Sequence, residues 1–166
     1  SGMRFPNKLN RPRARKYVAK HYLEVNSIDI GLCDMIILSG TALKDNVTLN
    51  QPEKFSLLSS VEKPVLGVWA GMQTIGLVFG LRLTRCLEIG MTEVTTLKEN
   101  PLFPKMFRAY SLHNYAVEPS GHFETLAESS QCTQAIKYKQ KTIYGVLFHP
   151  EVRNEDILKR FIQLER

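Results

Sequence analysis

The stretch PVLGVWAGMQ, residues 64–73, constrains the fold of this chain more than any other part of it. It begins as an apolar run of the kind found in a strand buried on both faces, and a helical pattern follows Trp69. Gly67 and Gly71 flank this corner, where close packing of the backbone would make side chains clash. The stretch therefore predicts a strand that ends at Trp69, a tight elbow there, and a helix over residues 71–79.

The segments before this elbow continue an alternation of helices and strands. Residues 34–39 (DMIILS) form a second continuous apolar run, which indicates another buried strand. The pattern also predicts a short helix over residues 11–20, a strand over residues 21–25, and a helix from about residue 52 to residue 60. Alternation of this kind is typical of an α/β sheet with helices on both faces.

The segments after the elbow are short, alternate polar with apolar residues, and are rich in Thr, Val and Tyr, which is typical of antiparallel strands. Asn154 then opens a last helix with an apolar stripe. The pattern predicts one domain over residues 3–166, with a three-layer, doubly wound, mostly parallel sheet and an antiparallel β-ribbon. The strands predicted in this part cover residues 92–98, 107–117, 123–128, 133–139 and 142–149.

The composition is that of an ordinary globular protein, with 43% hydrophobic and 23% charged residues among 166. No apolar run is long enough to span a membrane, and no segment resembles a signal peptide. Three cysteines stand far apart in no metal-ligand spacing, which favours reduced thiols, a cytoplasmic location, and neither a metal nor another cofactor. Ser1 and Gly2, before Met3, indicate an expression scar.

The net charge of +6 is concentrated in residues 1–23, which contain seven basic and no acidic residues. This segment could dock an acidic partner, a nucleotide or RNA, or it could be the solvated face of a first helix. The solvated face is the favoured interpretation, because RPRARK has no interleaved aromatic residues on which bases could stack. Nucleic acid is therefore not expected as a partner.

Three predicted strand ends bring candidate site residues to one edge of the sheet, because sites in α/β sheets collect at the carboxyl ends of parallel strands. The first is followed by Gly40, where a backbone N–H could face a developing oxyanion. The second is the elbow at Trp69. The third ends at His149, and Glu151 could orient its imidazole, with Pro150 holding the backbone between them extended.

Two of these motifs together resemble the class I glutamine amidotransferases. In that family the elbow reads G-[IV]-C-x-G-x-Q and the late motif reads F-H-P-E; here residues 67–73 read GVWAGMQ and residues 148–151 read FHPE. DMIILSG, NPLF at residues 100–103 and SLHNYAV at residues 111–117 match further parts of the family pattern. The resemblance runs from about Asp29 to the C-terminus, implies a flavodoxin-like fold, and is nearest to the glutaminase subunits of two-subunit GMP synthetases.

The resemblance implies roles for seven residues. In the family an elbow cysteine attacks glutamine, a His acts as general base and then acid, a Glu orients that His, and backbone N–H groups hold the oxyanion. Trp69 stands at the position of the missing nucleophile, with His149 and Glu151 as the other catalytic residues. His113 is either a hydrogen-bonding residue near a substrate loop or an ordinary half-buried histidine. The residues that the resemblance implies for binding the oxyanion or the substrate are Gly40, Ala70, Gln73 and His113.

Trp69 is the main departure from the family, because an indole cannot form a thioester. A bulky residue at a strained elbow predicts either a relaxed backbone or an indole that fills the glutamine pocket. A plug in that pocket is the favoured interpretation, and a surface for a planar ligand and plain core packing are the alternatives. Two smaller departures are Thr41, where the family usually has a second Gly, and the family's usual first strand, which is missing from its expected place.

These features predict an amidotransferase-like subunit without glutaminase activity, in a binding or regulatory role, whose partner is a synthetase subunit. One alternative is an active amidotransferase or hydrolase that uses His149 and Glu151 on another substrate. Another is a nucleotide- or RNA-binding protein that works through the basic N-terminus. Glutamine-like small molecules are not favoured as ligands, no membrane association is expected, and the sequence leaves the oligomeric state open.

Overall fold

The computed structural model describes residues 3–7, 16–20, 25–39 and 57–164. Its helices are α1 (Ser27–Leu32), α2 (Ala70–Val78), α3 (Pro150–Arg153) and α4 (Glu155–Gln163). Its strands are β1 (Met3–Asn7), β2 (Lys16–Lys20), β3 (Ile36–Leu38), β4 (Val65–Val68), β5 (Arg82–Thr96), β6 (Met106–Glu118), β7 (Phe123–Glu128), β8 (Thr133–Tyr138) and β9 (Ile143–Val146). These strands form one sheet in the order β2-β1-β3-β4-β9-β8-β7-β5-β6.

The centre of the sheet is parallel. β4 lies between β3 and β9, with Leu38 paired to Gly67 and Gly67 paired to Gly145. Every residue of β4 and β9 is buried, as expected of apolar strands covered on both faces. Because these three strands run in the same direction, their carboxyl ends lie at the same edge of the sheet.

The rest of the sheet is antiparallel, so the sheet as a whole is mixed. β5 and β6 form a long ribbon, β5 also pairs with β7, and β8 joins β7 to β9. The predicted α/β class with an antiparallel ribbon is confirmed. β5 begins at Arg82, well before the predicted start at residue 92, because pairing with β6 holds its first half.

Helices cover both faces of the parallel centre. Met72 of α2 packs with Val65 in one buried apolar cluster, whereas Ile157 and Phe161 of α4 pack with Leu66 in a second cluster. Val65 and Leu66 are neighbours in β4, and the period of two in a strand sends them to opposite faces. This three-layer arrangement agrees with the predicted doubly wound architecture.

The two helices most relevant to the site agree closely with their sequence patterns. α2 begins one residue before the predicted helix over residues 71–79, and Asn154 is the N-cap of α4, as predicted. Neither of them, nor any other helix within the described ranges, is long and apolar enough to cross a membrane.

The predicted helix over residues 11–20 is wrong at residues 16–20, the part of it that the structure describes. Residues 16–20 form β2, which pairs antiparallel with β1, and β1 pairs antiparallel with β3. Local patterning did not reveal this strand, because strand formation depends on partners distant in sequence. The predicted strand over residues 21–25 lies outside the described residues except for its last position. The predicted helix near residues 52–60 is described only at residues 57–60, which form a 3₁₀ turn.

Candidate active site

The elbow between β4 and α2 has an unusual backbone. Trp69 has a φ of 55° and a ψ of −110°, and it is the one non-glycine residue in the described ranges with a positive φ. Such a conformation costs about 1 to 3 kcal/mol, so the surrounding packing must impose it. The N–H of Trp69 donates to the Val146 carbonyl at 2.8 Å, and its carbonyl accepts from the N–H of Gln73 at 3.1 Å. The predicted alternative of a relaxed elbow is therefore wrong.

Two glycines make this elbow possible. A Cβ atom at Gly71 would lie 2.2 Å from the carbonyl oxygen of Leu38, and a Cβ atom at Gly67 would lie 2.6 Å from the backbone of Gly71. Side chains do not approach backbone atoms so closely, so both positions require glycine. The predicted steric role of Gly67 and Gly71 is confirmed, and their contacts press the start of α2 against β3.

His149 follows β9 and is fixed through both its backbone and its side chain. Its N–H donates to the carbonyl of Tyr110 at 2.8 Å, and its Nδ1 lies 2.8 Å from Oε1 of Glu151. Pro150 is the first residue of α3, so the carboxylate of Glu151 returns to the imidazole through a helical turn. The predicted extended backbone at Pro150 is wrong, since its fixed φ also suits the first turn of a helix.

The imidazole of His149 contacts two aromatic rings. Its centroid lies 5.1 Å from the ring of Trp69 and 6.2 Å from the ring of Tyr110. A carboxylate oxygen accepts hydrogen bonds, so Nδ1 carries the hydrogen toward Glu151 and Nε2 presents a lone pair in the neutral ring. Nε2 is buried and has no hydrogen-bond partner among the described residues. The arrangement thus orients an imidazole whose ring lies beside an indole, as would suit the predicted general base.

The other residues implied by the family resemblance lie in different surroundings. Gly40 is outside the described residues. Ala70 is the buried first residue of α2, directly after the elbow. The side-chain amide of Gln73 is buried, and its Nε2 donates to the carbonyl of Tyr115 at 2.9 Å, which ties α2 to β6. Their roles toward an oxyanion or a substrate remain predictions.

His113 lies within β6 and is 1% exposed, and its predicted place near a substrate loop remains a prediction. Its Nδ1 lies 2.9 Å from the carbonyl oxygen of Cys86, and its Nε2 lies 3.0 Å from Oε1 of Glu88. Burial lowers the pKa of His113, and the negative charge of Glu88 opposes this shift. The interpretation as an ordinary histidine is nearer, although the side chain is fully rather than half buried.

The thiols do not offer a second nucleophile. All three cysteines are free, and Sγ of Cys33 lies 3.1 Å from the carbonyl of Ile30. Burial raises the pKa of Cys33 and, more strongly, that of Cys132. Because the thiolate is the reactive form, neither group is prepared for attack.

The sequence patterns missed two sets of residues around the site. Tyr110 supports His149 through its ring and its carbonyl, but nothing distinguishes it from other tyrosines in alternating strands. Cys86, Glu88 and Cys132 bring their ligating atoms within 4.8 Å of one another. Their separation along the chain conceals this, and no pattern in the sequence indicates that Glu88 is buried.

Comparison with known proteins identifies the family to which these features belong. The family described as "Glutamine amidotransferase class-I" matches residues 14–165. The chain belongs to the class I glutamine amidotransferase family. The resemblance predicted from the elbow and the FHPE motif is thereby confirmed at the level of the family.

The curated relatives of this amidotransferase chain include subunits of the glutamine-hydrolysing GMP synthase. One such subunit, from Methanocaldococcus jannaschii, is 42% identical over 113 residues, which cover 61% of this chain and 60% of that protein. The like-named protein from Pyrococcus abyssi is 34% identical over 140 residues, which cover 78% of this chain and 74% of that protein. The chain thus spans 60% of the length of the first relative and 74% of the second.

Solved structures agree with this assignment of the fold. A Thermoplasma acidophilum protein described as one of the subunits of GMP synthase superposes with a TM-score of 0.74 at 28% identity, covering 80% of this chain and 73% of its own. A glutamine amidotransferase from Thermotoga maritima gives a TM-score of 0.64 at 23% identity, covering 85% and 64%, and supports the fold alone.

Proposed function

We propose that this amidotransferase-family chain has no glutaminase activity and serves as a binding or regulatory subunit. The observation that carries the proposal is the indole of Trp69 at the strained elbow, with its ring 5.1 Å from that of His149. Covalent glutamine hydrolysis needs a thiolate at that corner, and an indole has no atom that can take its place.

The position of the indole also argues against glutamine binding. A substrate amide would have to lie between the elbow residue and Nε2 of His149, and these two rings are already neighbours. Trp69 is half-buried and packs against the apolar cluster that contains Phe148 and Phe161. We therefore favour the plug over an open surface for a planar ligand.

A synthetase subunit is the partner that we propose. The relatives from Methanocaldococcus jannaschii and Pyrococcus abyssi are by name subunits of a glutamine-hydrolysing GMP synthase. Docking on a partner requires a folded surface and not an elbow thiol, so the function of this chain can be retained without glutaminase chemistry. A cytoplasmic location belongs to the same proposal, because the three free cysteines suit a reducing compartment.

A glutaminase assay tests the loss of activity. We expect purified wild-type chain to release no glutamate or ammonia from glutamine above a protein-free blank. Release by the wild type that disappears in His149→Ala would refute the proposal. Trp69→Cys restores the thiol, and it is expected to gain activity provided that the oxyanion loop functions. The double variant Trp69→Cys/His149→Ala is the matched control, because it has the thiol without the base.

The partner is tested separately. Co-purification with the product of the neighbouring open reading frame supports a subunit role if wild type and His149→Ala associate equally. Separate elution of the two proteins at micromolar concentration contradicts that role, whatever the glutaminase assay shows.

An active hydrolase is the second candidate, and one observation favours it. The Nδ1–Glu151 contact of 2.8 Å orients an imidazole whose Nε2 has no partner among the described residues, as a general base for water requires. Under this alternative, turnover of an amide or ester substrate falls by roughly 10²- to 10⁴-fold in His149→Ala. Absence of turnover across a panel of amides and esters favours the binding role instead.

A further inference from the structure

Two thiols and a carboxylate from separate parts of the ribbon region meet in one cluster. Cys86 and Glu88 lie in β5, and Cys132 lies just before β8. Their Sγ atoms and a carboxylate oxygen all lie within 4.8 Å of one another. We infer that this cluster is a binding site for a soft divalent cation, best matched by Zn²⁺, with Cys86, Glu88 and Cys132 as its ligands.

Two irregular pieces of backbone bring these residues together. The register between β5 and β6 shifts between Arg85 and Glu88, which places Cys86 within an irregularity of the strand. Cys132 closes a turn in which the N–H of Ser129 donates to the Cys132 carbonyl at 2.9 Å. A shared cation would join this irregular part of β5 to the turn before β8.

The distances require little adjustment to hold zinc. Sγ of Cys132 is already 3.2 Å from Oε1 of Glu88. With Zn–S near 2.3 Å and Zn–O near 2.1 Å, the ligand atoms of a tetrahedral site stand about 3.5 to 3.8 Å apart. Because no pair among the three exceeds 4.8 Å, each atom has to move by only about half an ångström.

His113 lies against the carboxylate of this cluster. Its Nδ1 lies 2.9 Å from the carbonyl oxygen of Cys86, which only accepts, so Nδ1 carries a hydrogen. In the neutral ring, Nε2 then directs a lone pair at Oε1 of Glu88, 3.0 Å away, which is also an acceptor. Two acceptors at this distance need a hydrogen between them or a cation beside them, and a cation bound to Glu88 would meet that need.

The surroundings of the carboxylate also favour a cation. Glu88 is 7% exposed, and buried charges in proteins are paired or coordinate metals. Nε2 of Gln134 donates to Oε1 of Glu88 at 2.6 Å, and Oγ of Ser129 donates to its Oε2 at 2.8 Å. Oε1 of Gln134, in contrast, is buried with no hydrogen-bond partner among the described residues. Two thiolates select Zn²⁺ over Mg²⁺ and Ca²⁺, since the latter prefer all-oxygen sites.

Titration of the reduced full chain with Co²⁺ tests the inference, because Co²⁺ bound to thiolates absorbs strongly in the near ultraviolet. We expect one Co²⁺ per chain, displacement by one equivalent of Zn²⁺, and no response to Mg²⁺. Cys86→Ser and Cys132→Ser are each expected to weaken Co²⁺ binding by at least about tenfold. Cys33→Ser is the matched control and should bind as the wild type does, because Cys33 is not one of the three residues whose ligating atoms lie together and its Sγ contacts the carbonyl of Ile30 instead.

The inference is overturned if the reduced wild type gives no thiolate–Co²⁺ absorption, or if Cys86→Ser and Cys132→Ser bind Co²⁺ as tightly as the wild type. Circular dichroism verifies that each variant is folded, and Cys86→Ala replaces Cys86→Ser if the latter is not. A reduced wild type that ignores Co²⁺ but forms a Cys86–Cys132 disulfide with glutathione disulfide would identify a redox pair and exclude the cation site.

Discussion

The two strand ends that meet at the candidate site are fixed by different means. At the end of β4, backbone atoms fix the elbow, because Gly71 touches the Leu38 carbonyl and Trp69 takes a φ of 55°. Beyond β9, His149 has ordinary extended angles, and a side-chain contact of 2.8 Å with Glu151 orients it. The elbow is thus a property of its neighbours, whereas the base depends on one polar side-chain contact.

This difference separates what the fold requires from what the proposed loss of chemistry would leave unused. The contacts that impose the elbow are made by residues on either side of position 69, so its side chain can change while the backbone is retained. The orientation of His149 needs Glu151, but the buried core does not, because the Glu151 side chain is 54% exposed.

The elbow should fail most severely when a methyl group is added at Gly71. Gly71→Ala places a Cβ atom 2.2 Å from the Leu38 carbonyl oxygen, and backbone at both sides prevents easy relief. We expect the free energy of unfolding to fall by about 3 kcal/mol, measured by urea denaturation. Gly31→Ala is the control, since no atom lies within 4 Å of its added Cβ and the helix should gain stability. Equal stability of the two variants would contradict the account of the elbow.

Two replacements of Trp69 separate backbone strain from side-chain packing. Trp69→Ala and Trp69→Gly both lose the indole contacts, but only alanine retains a Cβ at a φ of 55°. The glycine variant should therefore be the more stable of the pair by about 1 to 2 kcal/mol, measured by urea denaturation. An alanine variant as stable as the glycine variant would show that the packing does not hold the elbow at a positive φ.

The β9 side should tolerate an added methyl group better than the elbow does. A Cβ atom at Gly145 would lie 2.8 Å from Cγ of Met72, which is part of a flexible side chain rather than backbone. We expect Gly145→Ala to cost about 1 kcal/mol, clearly less than Gly71→Ala in the same urea series. A cost equal to that of Gly71→Ala would remove the distinction between the two ends.

The smallest effect on stability is expected at Glu151. Because its carboxylate is largely exposed, Glu151→Gln should change the free energy of unfolding by no more than about 0.5 kcal/mol. The change should instead alter the hydrogen-bonding state of His149, visible as a shift of its imidazole resonances in NMR. A large loss of stability with unchanged resonances would contradict the proposed division between fold and chemistry.

The sequence was most informative where structure is decided locally. The elbow, its two glycines and α2 follow from a short stretch, and the FHPE motif led correctly to the family. The described part of the N-terminus was misread, because β2 depends on pairing with β1, and basic residues spaced along a segment suit a helix equally well. Pro150 was misplaced for a related reason, since its fixed φ is compatible with both extended chain and a helix start.

The site was only partly accessible from sequence. Trp69, His149 and Glu151 were predicted to lie together, and the structure brings them together. The positive φ at Trp69 was not predictable, because glycine contacts with Leu38 override the preference of a bulky residue. The contacts among Cys86, Glu88 and Cys132 depend on the register shift in β5. No periodic pattern in the sequence predicts that shift.

The indole at the elbow has a practical consequence. The sequence contains a single tryptophan, so all of the tryptophan emission originates beside His149. A ligand that enters this corner, a tilt of the first turn of α2, or exposure of the ring to water would each change the tryptophan emission. Such changes can be measured without an attached dye. The indole at the elbow thereby supplies an optical record of what happens at the candidate site.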